Sequence, residues 1–182
     1  MKSKIILTGE CKCGKTTLMN KVLNSAVASN KLTLTDVYGY KTIPVIENND
    51  LTAFDIETFH GVRARIASIN KISEFKFKRF YVNINSFNYV IQAELEAGIK
   101  NNAKLIVMDE IGLMEKFSPD YIKSILNLFN YDIPIFGVLK LIEGDDFLDA
   151  IKFHKNVDLC EINLMNRDWI YEKIYNKVEN LL

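Results

Sequence analysis

Gly9-Glu10-Cys11-Lys12-Cys13-Gly14-Lys15-Thr16 is the stretch on which the reading of this chain turns. Before it runs Lys4-Ile5-Ile6-Leu7-Thr8, a short apolar segment of the kind that forms a buried strand of a parallel sheet. After it, Leu18, Met19, Val22, Leu23, Ala26 and Val27 recur at helical spacing and predict an amphipathic helix from Thr16 to about Asn30. A strand, a glycine-bounded loop and a helix in that order build an anion site. The loop turns its backbone N–H groups inward, and the helix N-terminus adds partial positive charge. Gly9 and Gly14 supply the torsions and the missing Cβ that close approach to a phosphate requires.

The spacing is that of a complete Walker A loop, so the expected anion is the phosphate chain of ATP or GTP. Glu10, Cys11, Lys12 and Cys13 form the body of the cradle. Lys15 is expected to reach the β- and γ-phosphates, and the Thr16 hydroxyl to bind Mg²⁺. Thr17 stands one step into the helix, either against the α-phosphate or as an ordinary polar residue of the first turn.

The bulk of the chain is consistent with one nucleotide-binding domain spanning 1–182. A hydrophobic share of 48% is that of a globular core and argues against disorder. The formal net charge of +0 provides no global field to draw in nucleic acid or an anionic membrane. No apolar stretch approaches the ~20 residues of a membrane span, and no signal-peptide core follows Met1. Three cysteines, Cys11, Cys13 and Cys160, form no disulfide framework, and His60 and His154 lie too far from the first two in sequence to suggest zinc. The expectation is a cytoplasmic monomer whose partner is a nucleoside triphosphate, with neither membrane nor nucleic acid involved.

Further along, strands alternate with helices. Strands are predicted at Thr33 to Tyr40, Lys104 to Asp109, Pro134 to Leu139 and Val157 to Ile162. Ser86 is placed as the cap of a helix carrying Val90, Ile91, Leu95 and Ile99. Ser118-Pro119-Asp120 is a second helix start, with Ser as cap and Pro in the first turn. Asp146 to His154 reads as a short helix, and the last helix is set to begin near Asn166 and to bury Ile170, Ile174, Val178 and Leu181. About 41–80 breaks the pattern. Ala53 to Ile56 and the alternation of Val62, Ala64 and Ile66 with Arg63 and Arg65 read as a β-hairpin insertion turning at His60-Gly61. The predicted fold is α/β: a P-loop three-layer αβα sandwich with a mostly parallel sheet.

A phosphate loop names a ligand without naming a reaction. Asp109-Glu110 supplies the second half, because it ends the apolar strand Leu105 to Met108 at the sheet edge that carries the loop. Asp109 is the candidate Walker B aspartate, holding Mg²⁺ with Thr16. Glu110 is the candidate group that orients or deprotonates the attacking water.

Gly9 to Thr17 together with Val107-Met108-Asp109-Glu110-Ile111-Gly112-Leu113-Met114-Glu115 resembles the small nucleoside-triphosphatases of the THEP type. The likeness extends through Phe117-Ser118, Pro134 to Leu139, Tyr81-Val82-Asn83 and Asn166-Arg167-Asp168. It implies a RecA-like domain with Mg²⁺-dependent hydrolysis and broad base tolerance. Two departures stand out. After Gly39 such proteins usually carry Thr-x-Glu-x-x-Arg, whereas this chain reads Tyr40-Lys41-Thr42-Ile43-Pro44-Val45-Ile46. After Leu139 a His or Arg cluster is replaced by Lys140 alone. Thinned positive charge near the γ-phosphate predicts slow turnover.

Only four arginines are present to make up that charge. Arg63 and Arg65 are candidates, with a solvated strand face as the alternative; Arg167 is assigned to the nucleotide's base side or to the start of the last helix. Phe75 to Phe80 interleaves aromatic and basic residues, which suits either a single-stranded nucleic acid or an amphipathic strand, and the strand is the expected reading. Trp169 is expected to pack within the last helix. Two other functions share the P-loop: a small-molecule kinase, for which no arginine-rich lid is visible, and a slow-turnover nucleotide switch.

Overall fold

The computed structural model describes residues 2–182. Their strands form one sheet in the order β5-β6-β4-β3-β2-β7-β8-β1-β9. The elements are β1 (Lys4–Thr8), α1 (Lys15–Ala28), β2 (Val37–Glu47), β3 (Asp50–Thr58), β4 (Arg63–Ser68), β5 (Lys76–Phe77), β6 (Phe80–Val82), α2 (Gln92–Lys100), β7 (Leu105–Ile111), α3 (Pro119–Leu128), β8 (Ile135–Leu139), α4 (Asp146–Lys152), β9 (Val157–Glu161) and α5 (Tyr171–Glu179). Among the described residues no helix is long and apolar enough to cross a membrane.

Every residue of β1 and of β8 is buried, as continuous apolar runs require when helices cover both faces. Alternation along each strand assigns the two faces. Ile5, Leu7, Leu105 and Val107 pack with α1 and α5, while Ile6, Ile106 and Met108 pack with α2, α3 and α4 on the opposite side. These are the three layers expected. Lys4 is fully buried at the start of β1, where its ammonium donates to the carbonyls of Tyr131 and Ile133, both at 2.7 Å.

β2 joins two kinds of sheet. Val37 to Lys41 pair in parallel with β7, and Tyr40 to Glu47 pair antiparallel with β3. Pro44 is tolerated mid-strand because it lies beyond the last β7 pairing, on a flank with no neighbouring strand. Gly39 has no substitute there: at φ 110° a Cβ would fall 1.9 Å from the Val107 carbonyl oxygen. The anticipated hairpin β3–β4 is present, turning through His60-Gly61. The region is also larger than a hairpin. A first turn at Asn48-Asn49, both with positive φ, joins β2 to β3, and β6 and β5 continue the sheet outward.

Several local expectations are corrected. Phe75 to Phe80 is not one amphipathic strand but the β5–β6 turn, with Lys78 in the left-handed region. Ser86 caps nothing: its buried hydroxyl donates to the Arg65 carbonyl at 2.8 Å, and a π-helical turn Ser86–Ile91 runs directly into α2. Ser118 stands before Pro119 as predicted, yet its hydroxyl bonds Asn88 rather than a helix N–H. The last helix starts at Tyr171, because Asn163 and Asn166 form a closed turn in which Asn166 Oδ1 accepts from Asn163 N and Asn163 Oδ1 from Asn166 N, each at 2.9 Å. Trp169 therefore lies ahead of that helix and is 68% exposed rather than packed.

Candidate active site

The loop after β1 enters α1 through Gly14, at φ 104°. Gly9, at φ 142°, crosses so near β9's exit that a Cβ would sit 2.0 Å from the Ile162 carbonyl oxygen. Cys13 is buried; its thiol donates to that carbonyl at 3.2 Å and accepts from the Lys15 ammonium at 3.8 Å. Glu10, Cys11 and Lys12 are exposed, with Lys12 at φ 63°. The Lys15 side chain is buried and folds back across the loop, donating to the carbonyls of Gly9 at 2.9 Å and Glu10 at 2.7 Å. Thr16 and Thr17 face solvent at the helix start.

The parallel register brings the end of β7 beside this loop. Thr16 Oγ1 donates to Asp109 Oδ1 at 3.0 Å, a direct bond between the two halves of the sequence motif. Asp109 is buried, and burial pushes its carboxyl up to about 6; the Thr16 bond opposes that rise, and the Glu110 charge adds to it. Glu110 is half-buried and pairs with Lys140 of the β8 exit at 3.3 Å.

Three groups at this edge carried no assigned role in the sequence. Lys41 stands in register with Asp109, and its positive charge favours the ionised carboxylate. The Thr42 hydroxyl donates to the Asp109 carbonyl and accepts from Glu110 N at 3.0 Å, which ties down the peptide carrying both acids. The departure after Gly39 thus supplies a cation and a clamp in place of the missing acid and arginine. Glu115 is the third. Burial pushes its carboxyl up to about 7, against hydrogen bonds from the N–H groups of Glu115 and Gly112. Behind it Tyr121 donates to Tyr40 at 3.3 Å, and burial raises both phenols. An acid flanked by Leu113, Met114 and Phe117 was the available signal for burial.

Arg63 and Arg65 do not reach the loop; both are spent on Asp55 of the neighbouring strand, Arg63 at 3.0 Å. Arg167 does reach it, its Cδ lying 3.7 Å from where a Gly14 Cβ would be. With Gly14, Thr17, Lys21 and Tyr171 it lines a cleft of about 310 Å³ on one side of the loop. A larger cavity of about 450 Å³ opens on the other side, against Lys15, Glu110 and Lys140.

A profile of a protein family described as NTPase matches residues 4–175. The chain belongs to that NTPase family. It is 27% identical to the nucleoside-triphosphatase THEP1 of Thermotoga petrophila, over 97% of this chain and 96% of that one. It is 24% identical to a cancer-related nucleoside-triphosphatase homolog of Bos taurus, over 99% and 98% of the two chains. The crystal structure of THEP1 from Aquifex aeolicus superposes with a TM-score of 0.78 at 28% identity, covering 97% of this NTPase and 99% of that chain. The α/β fold and the family resemblance read from the sequence both stand.

Proposed function

We propose that this chain hydrolyses nucleoside triphosphates to the diphosphate and inorganic phosphate. The observation that carries the reading is the 3.0 Å bond from Thr16 to Asp109, which joins the phosphate loop to the acidic strand end. The backbone of Gly9 to Thr16 cradles the phosphates. Lys15 exchanges the Gly9 and Glu10 carbonyls for the β- and γ-phosphate oxygens, which are better acceptors because they are charged. Thr17 meets the α-phosphate, and Arg167 borders the nucleoside from beside Gly14. Glu110 orients the attacking water in line with the γ-phosphate, and Lys140 steadies that carboxylate while adding positive charge near the reacting group.

Thr16 and Asp109 are the residues that would hold Mg²⁺. One hydroxyl and one carboxylate suit a hard cation that keeps several waters and takes phosphate oxygens. When bound, the ion neutralises charge on the phosphates. The same proposal makes the chain a cytoplasmic monomer that uses ATP, GTP and related triphosphates without nucleic acid or membrane; zero net charge and three unpaired cysteines support it.

Phosphate release from ATP, GTP, CTP and UTP tests the reading. Lys15→Ala and Glu110→Gln are each expected to lower release by about a hundredfold or more while leaving the fold intact. Release that survives Glu110→Gln removes the water-orienting role from that residue.

A further inference from the structure

The two clefts beside the loop are unlike, and their positions give the phosphate chain a direction. Gly14 and Thr17, at the helix end of the loop, open into the smaller cleft with Arg167 and Tyr171. Lys15 and Glu110 face the larger cavity, beside the Thr16–Asp109 pair. A nucleoside in the smaller cleft therefore points its terminal phosphate at the larger one.

Hydrolysis needs room there for one phosphate and one water, and a water takes only about 30 Å³. The cavity offers about 450 Å³, the size of a small-molecule site. Its lining is divided. Lys15, Thr42, Glu110 and Lys140 line it beside the loop and the strand ends, and Glu115 adds a further carboxyl to the lining. The opposite wall is built by Phe54, Ile66 and Phe77 of the antiparallel strands with Phe87, Leu113 and Met114. Those six side chains offer water no hydrogen bond, and burying an organic body against them is favourable. The polar end suits a hydroxyl, which can donate to Glu110 and accept from a lysine.

We propose that the larger cavity is an acceptor site, taking a small apolar alcohol whose hydroxyl receives the γ-phosphoryl group in place of water. The inference rests on the hydrolytic reading of the same loop. The alcohol oxygen attacks the γ-phosphorus; the new O–P bond forms as the bond to the β–γ bridging oxygen breaks. The alcohol's proton passes to the Glu110 carboxylate and then to solvent. The nucleoside diphosphate leaves, and the product is a phosphomonoester. No oxidation or reduction is involved.

Benzyl alcohol is the probe. With Mg²⁺ and ATP the native chain is expected to form benzyl phosphate, seen by phosphorus NMR, at about ten times or more the yield of methyl phosphate from methanol at equal concentration. Without nucleotide, para-fluorobenzyl alcohol should broaden in the fluorine spectrum on adding the chain. Leu113→Trp fills the cavity and should remove the broadening and lower the ratio of benzyl phosphate to inorganic phosphate about tenfold. Leu141→Trp, at the exposed mouth, repeats the test should Leu113→Trp fail to fold. Normal phosphate release with no benzyl phosphate overturns the acceptor role, whether or not the probe broadens. An ester yield unchanged in both tryptophan variants overturns the cavity assignment. Loss of phosphate release with ester still formed overturns the hydrolytic reading and upholds the acceptor.

Discussion

The two halves of the sheet do different work. From β9 to β2 the strands are parallel, with β1, β7 and β8 buried on both faces, and they deliver to one edge the Gly9 to Thr16 loop from β1, Asp109 and Glu110 from β7, and Lys140 from β8. From β3 to β5 they are antiparallel, expose charged residues such as Arg63 and Arg65 on one face, and turn apolar side chains toward the cavity with the other. The parallel half holds the candidate catalytic groups on a buried core. The antiparallel half supplies one wall of the cavity beside them. β2 belongs to both, and the switch from parallel to antiparallel neighbours falls at Tyr40 to Lys41, beside Asp109.

If the division is correct, equal lesions should cost unequal amounts. Phe136→Ala in β8 removes a side chain with no exposure from the parallel core, and should destabilise the chain by about 3–5 kcal/mol. Phe77→Ala, from a half-buried position on the wall, should cost about half of that, because less area leaves water on folding. Urea unfolding of both variants measures the contrast, and equal losses would break it.

Glu115 lies on the seam and sharpens the comparison through pH. Its carboxyl, raised to about 7 from 4.5, keeps a proton in the folded chain that the unfolded chain has lost within that window. Stability therefore falls as pH rises between the two values and stays lower above them, by about 3 kcal/mol if the whole shift is realised. Urea midpoints at about pH 5 and about pH 8 should differ more for the native chain than for Glu115→Gln, which has no proton to lose. Parallel slopes would mean that Glu115 is already ionised in the fold.

The smallest effect belongs to the outer turn. Asn49 holds φ 63° between β2 and β3, a conformation glycine adopts without strain. Asn49→Gly should change stability by less than about 0.5 kcal/mol and leave phosphate release as it was. A large loss of release would tie this turn to the catalytic edge and undo the separation of the halves.

Legibility followed the same boundary. β1, β7 and β8 were readable because strands buried on both faces are continuous apolar runs, and the loop was readable because its torsions and charges belong to consecutive residues. From the sequence the antiparallel half reads as a single hairpin. Its outer strands are short, and Asn48-Asn49 and Lys78 turn the chain without the Gly or Pro that signals a break. Asparagine tolerates the left-handed region through its own side chain, so such turns are quiet in sequence.

The glycine-bounded loop between β1 and α1 and the acidic end of β7 were legible in the sequence alone, since each is a local pattern of consecutive residues. Only the tertiary structure decided what surrounds them. Lys41 meets Asp109 because β2 and β7 share a register, Thr42 clamps the acidic peptide one residue further on, and Lys140 finds Glu110 across β8. The missing acid and arginine had suggested a site short of positive charge. Packing brings two lysines to the acidic edge from strands far apart in the chain, because strand order, which no local pattern encodes, determines which ends become neighbours.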